Sequence, residues 1–377
     1  MHVRVLIACV VSGCLAAGAG LVGEPLAAQS AAPARRAAAV PRTADGHPDL
    51  QGTFDVATIT PLERPVELGN RLALTDREAA ALEEYEQQRN EKSAEPSSPD
   101  RAAPPVGGDT STPKSYLETL FRAGGGVVGG YNNFWLAGGT QVVTVDGQKR
   151  TSIIVDPPDG RIPAMKPEAR QRTAAFLRRA ADPSAAEGST AGPASAFDNP
   201  EQRPLAERCL LGFGSTSGPP TLPNYFYNNL KQIVQTPDTI LILVEMVHDA
   251  RIIRMNATHL PPTVRRWMGD SIGRWEGDTL VVDTTNFTDK TRFQGSSADL
   301  HVVERFRRVD AESILYQFTI EDPSTWDRPW SGEYTWRATS DNIYEYACHE
   351  GNHALSNVLS GARYSEKQGA AETPAPR

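Results

Sequence analysis

The sequence predicts a mainly β fold: an antiparallel up-and-down barrel of lipocalin-like architecture with an N-terminal α/β embellishment. Three observations lead there. After Phe197, short β-branched and aromatic runs recur, at 239–247, 251–255, 271–275, 279–284, 301–308, 313–320, 331–338 and 342–348. Most connections between them are short and carry turn chemistry, and Trp275-Glu276-Gly277-Asp278-Thr279 and Val309-Asp310-Ala311-Glu312 read as hairpin turns. Consecutive antiparallel strands leave exposed edges unless the sheet closes, and an eight-stranded barrel has an interior just wide enough for one small ligand. A β-sandwich is the alternative.

The individual elements follow from pattern. Ile314, Tyr316, Phe318 and Ile320 alternate with Ser313, Leu315, Gln317 and Thr319, which gives that strand one dominant apolar face. Ile240 to Val244 is continuously apolar and is expected to be buried on both sides. Upstream, Thr75-Asp76-Arg77-Glu78 is a capping box that opens a helix to about Lys92, followed by a Pro/Ser/Gly-rich loop from Ser93 to Pro113. A strand near 151–155 packs on the barrel, Pro167 starts a second helix to Ala180, and a loose stretch covers 182–196. Asn352 caps a closing helix that ends before Gly361. The domains are therefore 1–28 (signal peptide), 29–47 (Ala/Pro-rich tether), 48–196 (N-terminal extension), 197–363 (barrel) and 364–377 (polar tail).

Composition narrows the function classes. The 377 residues are 39% hydrophobic and 22% charged, which suits a globular core and excludes wholesale disorder. A formal charge of −8 without any Lys/Arg-rich run argues against a nucleic-acid partner. No apolar run beyond the N-terminus is long enough to form a transmembrane segment. Residues 1–28 have the layout of a secretory signal, with His2 and Arg4, an apolar stretch from Val5 to Val22, and Ala27-Ala28 before Gln29. That layout predicts a periplasmic or secreted protein. Val11-Ser12-Gly13-Cys14 also fits a lipoprotein cleavage site, so a lipid anchor at Cys14 on the outer membrane is the alternative. Loss of Cys9 and Cys14 with the signal leaves Cys209 and Cys348, which an oxidising compartment would join as a disulfide. A reactive thiol at Cys348, beside His349, is the competing reading.

Several blocks are specific enough to carry a resemblance. They are Pro48-Asp49-Leu50-Gln51-Gly52, Val155-Asp156-Pro157-Pro158-Asp159-Gly160-Arg161, His248-Asp249-Ala250-Arg251-Ile252-Ile253, the run from Gly273 to Val282, and the run from Tyr344 to Asn352. Together they resemble a large uncharacterised family of secreted bacterial proteins, over most of the mature chain. The resemblance implies export and brings no activity with it. The chain departs from the family at His353, where tyrosine is common.

Candidate chemistry gathers at the expected barrel mouth. His248 and Asp249 lie where an apolar strand turns back, and an imidazole oriented by a carboxylate can take and return a proton. Glu245, among Leu243, Val244, Met246 and Val247, is costly to bury as an anion, so it should pair with Arg251 or Arg254 or hold its proton. His349 and Glu350 form a second acid–base pair, and Arg251 and Asn352 are placed to stabilise developing negative charge. Asn224, Tyr225, Tyr227, Asn228 and Asn229 mix amides with aromatic rings, a combination that stacks on and hydrogen-bonds to a carbohydrate. On 301–308, alternation puts His301 on one face with Arg305 and Arg307, as a solvated face, and Glu304 with Val302 and Phe306 on the other.

These residues lead to an expected enzyme of lyase, isomerase or hydrolase type acting on a small neutral or sugar-like molecule. A non-catalytic ligand-binding barrel is one alternative. A metal site using His349, His353 and His248 is another, because His349-Glu350-Gly351-Asn352-His353 matches H-E-x-x-H; Gly351 and the strand expected before it argue against the helix that motif needs, and no metal is assigned. No cofactor is implied: Gly212-Phe213-Gly214-Ser215 lacks phosphate-loop and dinucleotide spacing, and no Gly-x-Ser-x-Gly elbow occurs.

Overall fold

A computed structural model describes residues 40–94, 138–181, 197–212, 218–224 and 227–372. The expected signal segment, Cys14, the 182–196 stretch, most of the expected tether and of the 93–113 loop, and Tyr225 lie outside the described residues. In chain order the strands are β1 (Gly52–Asp55), β2 (Ala73–Leu74), β3 (Thr144–Val145), β4 (Gln148–Arg150), β5 (Ile154–Asp156), β6 (Leu230–Gln235), β7 (Thr239–Val244) and β8 (Ala250–Met255). They continue as β9 (Asp270–Glu276), β10 (Thr279–Thr285), β11 (His301–Arg308), β12 (Ser313–Glu321) and β13 (Trp330–Thr339). The helices are α1 (Asp76–Ala94), α2 (Pro167–Ala181) and α3 (His353–Glu372).

The barrel forms as the sequence predicts, with different staves. β1 pairs with both β6 and β13, closing a ring in the order β1-β6-β7-β8-β9-β10-β11-β12-β13, while β5 pairs with β13 from the side. The expected strand at 342–348 is absent: once β13 is paired to β1 and β5, no ladder edge is left for it. β1 takes its place, so one strand of the N-terminal extension is a stave of the barrel while the rest of the extension embellishes it. β6 went unread because Leu-Lys-Gln-Ile-Val-Gln places polar side chains among its apolar ones. The ring is also not purely up-and-down. β8 and β9 run parallel through three register pairs, and residues 256–269 make the return crossing that a parallel pair requires.

The register of the strands decides what fills the ring. Phe306, Tyr316 and Tyr334 lie opposite one another on β11, β12 and β13, and Tyr316 packs on Trp336 at a ring separation of 5.2 Å. With Phe54, Phe318 and Trp330 these fully buried rings occupy the interior that the sequence reading gave to a ligand. The packing is close: a Cβ at Gly332 would stand 2.4 Å from Phe318 Cζ, so β13 needs glycine opposite that ring. On β7 the burial alternates, with Ile240, Ile242 and Val244 buried and Leu241 and Leu243 only half-buried. The expected two-sided burial is corrected because the outer wall is only partly covered.

Arg251, assigned by sequence to the mouth, instead points into this core. Its guanidinium forms a two-pronged pair with Glu304, and both side chains are almost wholly buried. Tyr316 donates its hydroxyl to Glu304 Oε1 at 2.8 Å and accepts from the Thr221 amide at 3.0 Å; Tyr334 donates to the Thr221 carbonyl at 2.7 Å. Burial, reinforced by the Glu304 charge, raises the Tyr316 phenol well above its ordinary value, so it stays a donor.

Local signals at the helices hold where they rest on capping. Glu78 Oε2 accepts from the Thr75 amide at 2.8 Å and Thr75 Oγ1 accepts from the Glu78 amide at 3.3 Å, the reciprocal arrangement the sequence predicts. The Thr75 amide, then Arg71 and the Thr75 hydroxyl, hold the Glu78 carboxyl down at about 2. Thr75→Ala is expected to cost about 1 kcal/mol in urea unfolding, and an unchanged midpoint would mean that α1 contributes nothing to the cooperative unit. α3 runs through Gly361 to Glu372 instead of stopping: Ala362 is buried, and that packing outweighs the helix cost of one glycine. The 364–377 tail is therefore helical up to 372. The Cys209–Cys348 disulfide is present, with Cα atoms 5.8 Å apart across a sequence separation of 139.

Candidate functional site

A cavity of about 800 Å3 opens at the barrel rim, where β1 ends and β6 begins. Asp55, Tyr227, Asn228, Asn229, Leu230 and Glu245 form one side. The segment after β13 forms the other, with Asp341, Asn342, Tyr344, Glu345 and Tyr346 among its lining residues. Cys348 also lines it, so the disulfide fixes that segment over the rim.

Backbone pairing places the two carboxyls. Asp55 is the last residue of β1 and lies opposite Leu230, the first of β6. Glu245 directly follows β7; its amide donates to the Leu230 carbonyl at 3.1 Å, and its Oε2 accepts from the Leu230 amide at 3.2 Å. Its second oxygen faces the Tyr344 amide at 3.5 Å. The Glu245 carboxylate is thus anchored by main-chain N–H groups rather than by the arginines the sequence suggested: Arg251 pairs with Glu304 and Arg254 with Asp270. Asp55 differs. Burial raises its carboxyl above the usual range, the Ala57 amide and Arg337 oppose the shift, and Asp341 adds to it.

Under these carboxyls lies Lys231, completely buried, and among the described residues Nζ has no hydrogen-bond partner. Its register partners are Phe54 and Val244, the residues just before Asp55 and Glu245. Burial pushes its ammonium down to about 7, against the upward pull of Glu245 and Asp55.

The other predicted residues disperse. Asn228 lines the cavity with a left-handed φ of 56°, and Asn229 beside it exchanges hydrogen bonds of 2.7 Å with the Asn224 main chain, so Asn224 braces the loop. His248 is exposed in the tight turn after β7 and does not line the cavity; no hydrogen bond joins it to Asp249, whose carboxyl accepts from the Ala250 amide at 2.9 Å. Burial raises the Asp249 carboxyl, and the backbone bond and His248 pull it back. His349 and Glu350 are exposed in the turn before α3 and outside the cavity lining. Neither of the two expected acid–base pairs, His248 with Asp249 or His349 with Glu350, therefore lines the cavity. Asn352 is a structural cap, its Oδ1 accepting from Leu355 at 3.3 Å and its Nδ2 donating to the Glu207 carbonyl at 2.7 Å. His353 is the first residue of α3 while His349 precedes it, so the H-E-x-x-H imidazoles do not share a helix face. Among the described residues no three His, Cys, Asp or Glu side chains converge to hold a metal ion.

A second cluster, missed from sequence, lies on the outer wall. Asp283 Oδ1 stands 3.0 Å from His259 Nε2 and 3.2 Å from His301 Nε2. The remaining ring nitrogens face Asp270 Oδ2 and Glu321 Oε2, each at 3.2 Å. The signal was available at His301, which alternation already placed outward, but its two direct partners, Asp283 and Glu321, come from β10 and β12. Neither Asp55 nor Lys231 carried any signal, because both sit on strands that the chain's pattern did not reveal.

Compared with protein-family models, with curated proteins and with solved structures, the chain matches none.

Proposed function

We propose that the protein is an exported barrel enzyme whose rim cavity carries out acid–base chemistry on a small hydroxyl-rich molecule, a neutral or amine-bearing sugar. The observation that carries this reading is the pairing of two differently held carboxyls, Asp55 and Glu245, in a cavity of about 800 Å3 that also presents tyrosine rings and asparagine amides. Asp55, raised by burial, is suited to keep and deliver a proton; Glu245, anchored by the Leu230 amide, is suited to act as the base or to stabilise a developing cation. Such a pair serves glycoside hydrolysis or elimination next to a carbonyl. Among the described lining residues there is no Arg, Lys or His and there are four carboxyls, which disfavours anionic ligands. The volume is in the range of small-molecule sites, and the exposed Tyr344 ring offers a face on which a sugar ring stacks. The N-terminal segment and the disulfide favour a periplasmic or secreted location. The same cavity without turnover would be a ligand-binding module.

The test is a screen of the purified full chain against neutral and amino glycosides, with turnover and calorimetric binding read in parallel. Asp55→Asn and Glu245→Gln are each expected to lower kcat/KM by about 10²–10⁴-fold while Kd changes much less. Binding without turnover in the wild type assigns the module instead. Variants as active as the wild type would remove the site.

A further inference from the structure

We propose that Arg254, Asp270, His259, Asp283, His301 and Glu321 form a proton-dependent clasp on the outer wall, which ties the parallel β8–β9 seam to β10, β11 and β12 and loosens when either imidazole gives up a proton. The side chains come from five consecutive strands and the crossover, and their charges alternate. Arg254 of β8 holds both oxygens of Asp270 of β9, at 3.0 and 2.9 Å. Asp270 holds His259 of the crossover and accepts from the Leu260 amide at 2.9 Å. His259 then meets Asp283 of β10, Asp283 meets His301 of β11, and His301 meets Glu321 of β12.

The proton requirement follows from valence. Each ring faces a carboxylate at both nitrogens, and a carboxylate only accepts. A neutral imidazole has one N–H, so its second nitrogen would turn a lone pair towards an anion. All four contacts are made together only when both rings are cationic.

The location gives the clasp a mechanical role. The β8–β9 pairing is the one parallel seam among the described barrel strands and has only three register pairs, whereas β10–β11 has six and β11–β12 eight. Arg254 and Asp270 bridge that seam directly, and the rest of the chain anchors Asp270 from the far side.

The sign of the pH dependence is defined. Asp283, with Glu321 adding and burial opposing, raises the His301 ring. Its contribution is complete below the ordinary imidazole value, about 6.5, and is lost as pH rises through the raised one. Asp283 is lowered chiefly by His301, with burial opposing and His259 adding; for Asp270, burial is outweighed by the Leu260 amide, His259 and Arg254. Their contributions are complete above about 3.9 and are lost as pH falls through the lowered values. The clasp is closed in mild acid and opens towards alkaline pH.

Because Lys231 contributes to global stability with the opposite slope above neutrality, the readout must be local. Hydrogen exchange of the full chain, corrected for intrinsic rates, is compared near pH 6 and pH 8.5. Protection of the β8–β9 seam is expected to fall at least about threefold in the wild type while the β12–β13 hairpin is unchanged. In Asp283→Asn, seam protection is low at both pH values, and the His301 ring, followed by NMR, titrates closer to the ordinary value. Should Asp283→Asn not fold, His301→Gln serves, with the same loss of pH dependence expected. Seam protection independent of pH in the wild type, or equal slopes in wild type and variant, would overturn the clasp. So would stoichiometric zinc binding to rings deprotonated at Nε2.

Discussion

Arg251→Met is expected to destabilise the fold by about 3–5 kcal/mol, because it leaves the Glu304 carboxylate charged and unpaired inside the ring of strands. Tyr316 still donates to that carboxylate, but one phenol cannot replace a two-pronged guanidinium. Guanidinium unfolding at neutral pH measures the loss. In Arg251→Met/Glu304→Leu both charges are gone, and most of the stability is expected to return; the Tyr316 hydroxyl loses its acceptor and keeps only the bond it accepts from the Thr221 amide, which limits the recovery. A single-variant cost below about 1 kcal/mol would mean that water reaches Glu304 and that the interior is not sealed.

Lys231→Met is expected to do the opposite and stabilise the protein, on the order of 2–4 kcal/mol near pH 6. The wild type buries an ammonium that finds no hydrogen-bond partner among the described residues, whereas methionine fills similar space without charge. The folded-state value is about 7 against a reference of 10.5, so between those limits the unfolded chain binds more protons than the folded one. Wild-type stability therefore gains with rising pH across that window, and the gain is missing in Lys231→Met. The two proteins converge towards pH 10. Unfolding at pH 6, 8 and 10 reads the effect, and a variant less stable at pH 6 would show that the lysine is held by Asp55 and Glu245 as an ion pair worth more than its burial costs.

The barrel was legible because hairpin chemistry is local: Trp275 to Thr279 closes β9 onto β10 through Gly277 at φ 60°, as turn residues alone indicate. Closure was not local. Gly52–Asp55 reads as a short stretch far from the other strands, and only its pairing with residues near 230 and 338 makes it a stave. The same holds for chemistry. Glu245 was recognisable as an anomaly in an apolar run, and it does line the cavity, but its anchor is an amide, which no side-chain pattern displays. His248, Asp249, His349 and Glu350 stood out by residue type, and the chain spends them in turns outside the cavity lining, with Asp249 half-buried and the other three exposed. Cys209 and Cys348 were legible because, with Cys9 and Cys14 assigned to an expected signal peptide, they were the pair that remained.

The disulfide also sorts the strands by how they are kept. Residues 209 and 348 bracket β6 to β13, eight of the nine staves, inside one covalent hoop, and β1 lies outside it. After a single cut of the chain between Asp55 and Cys209, the stave that seals the cylinder is retained by non-covalent contacts only, among them its hydrogen bonds to β6 and β13 and the Arg42–Asp278 ion pair. It carries Asp55 with it. A nicked molecule is thus a two-piece assembly in which one piece can be exchanged for a synthetic peptide, and with it one of the two rim carboxyls.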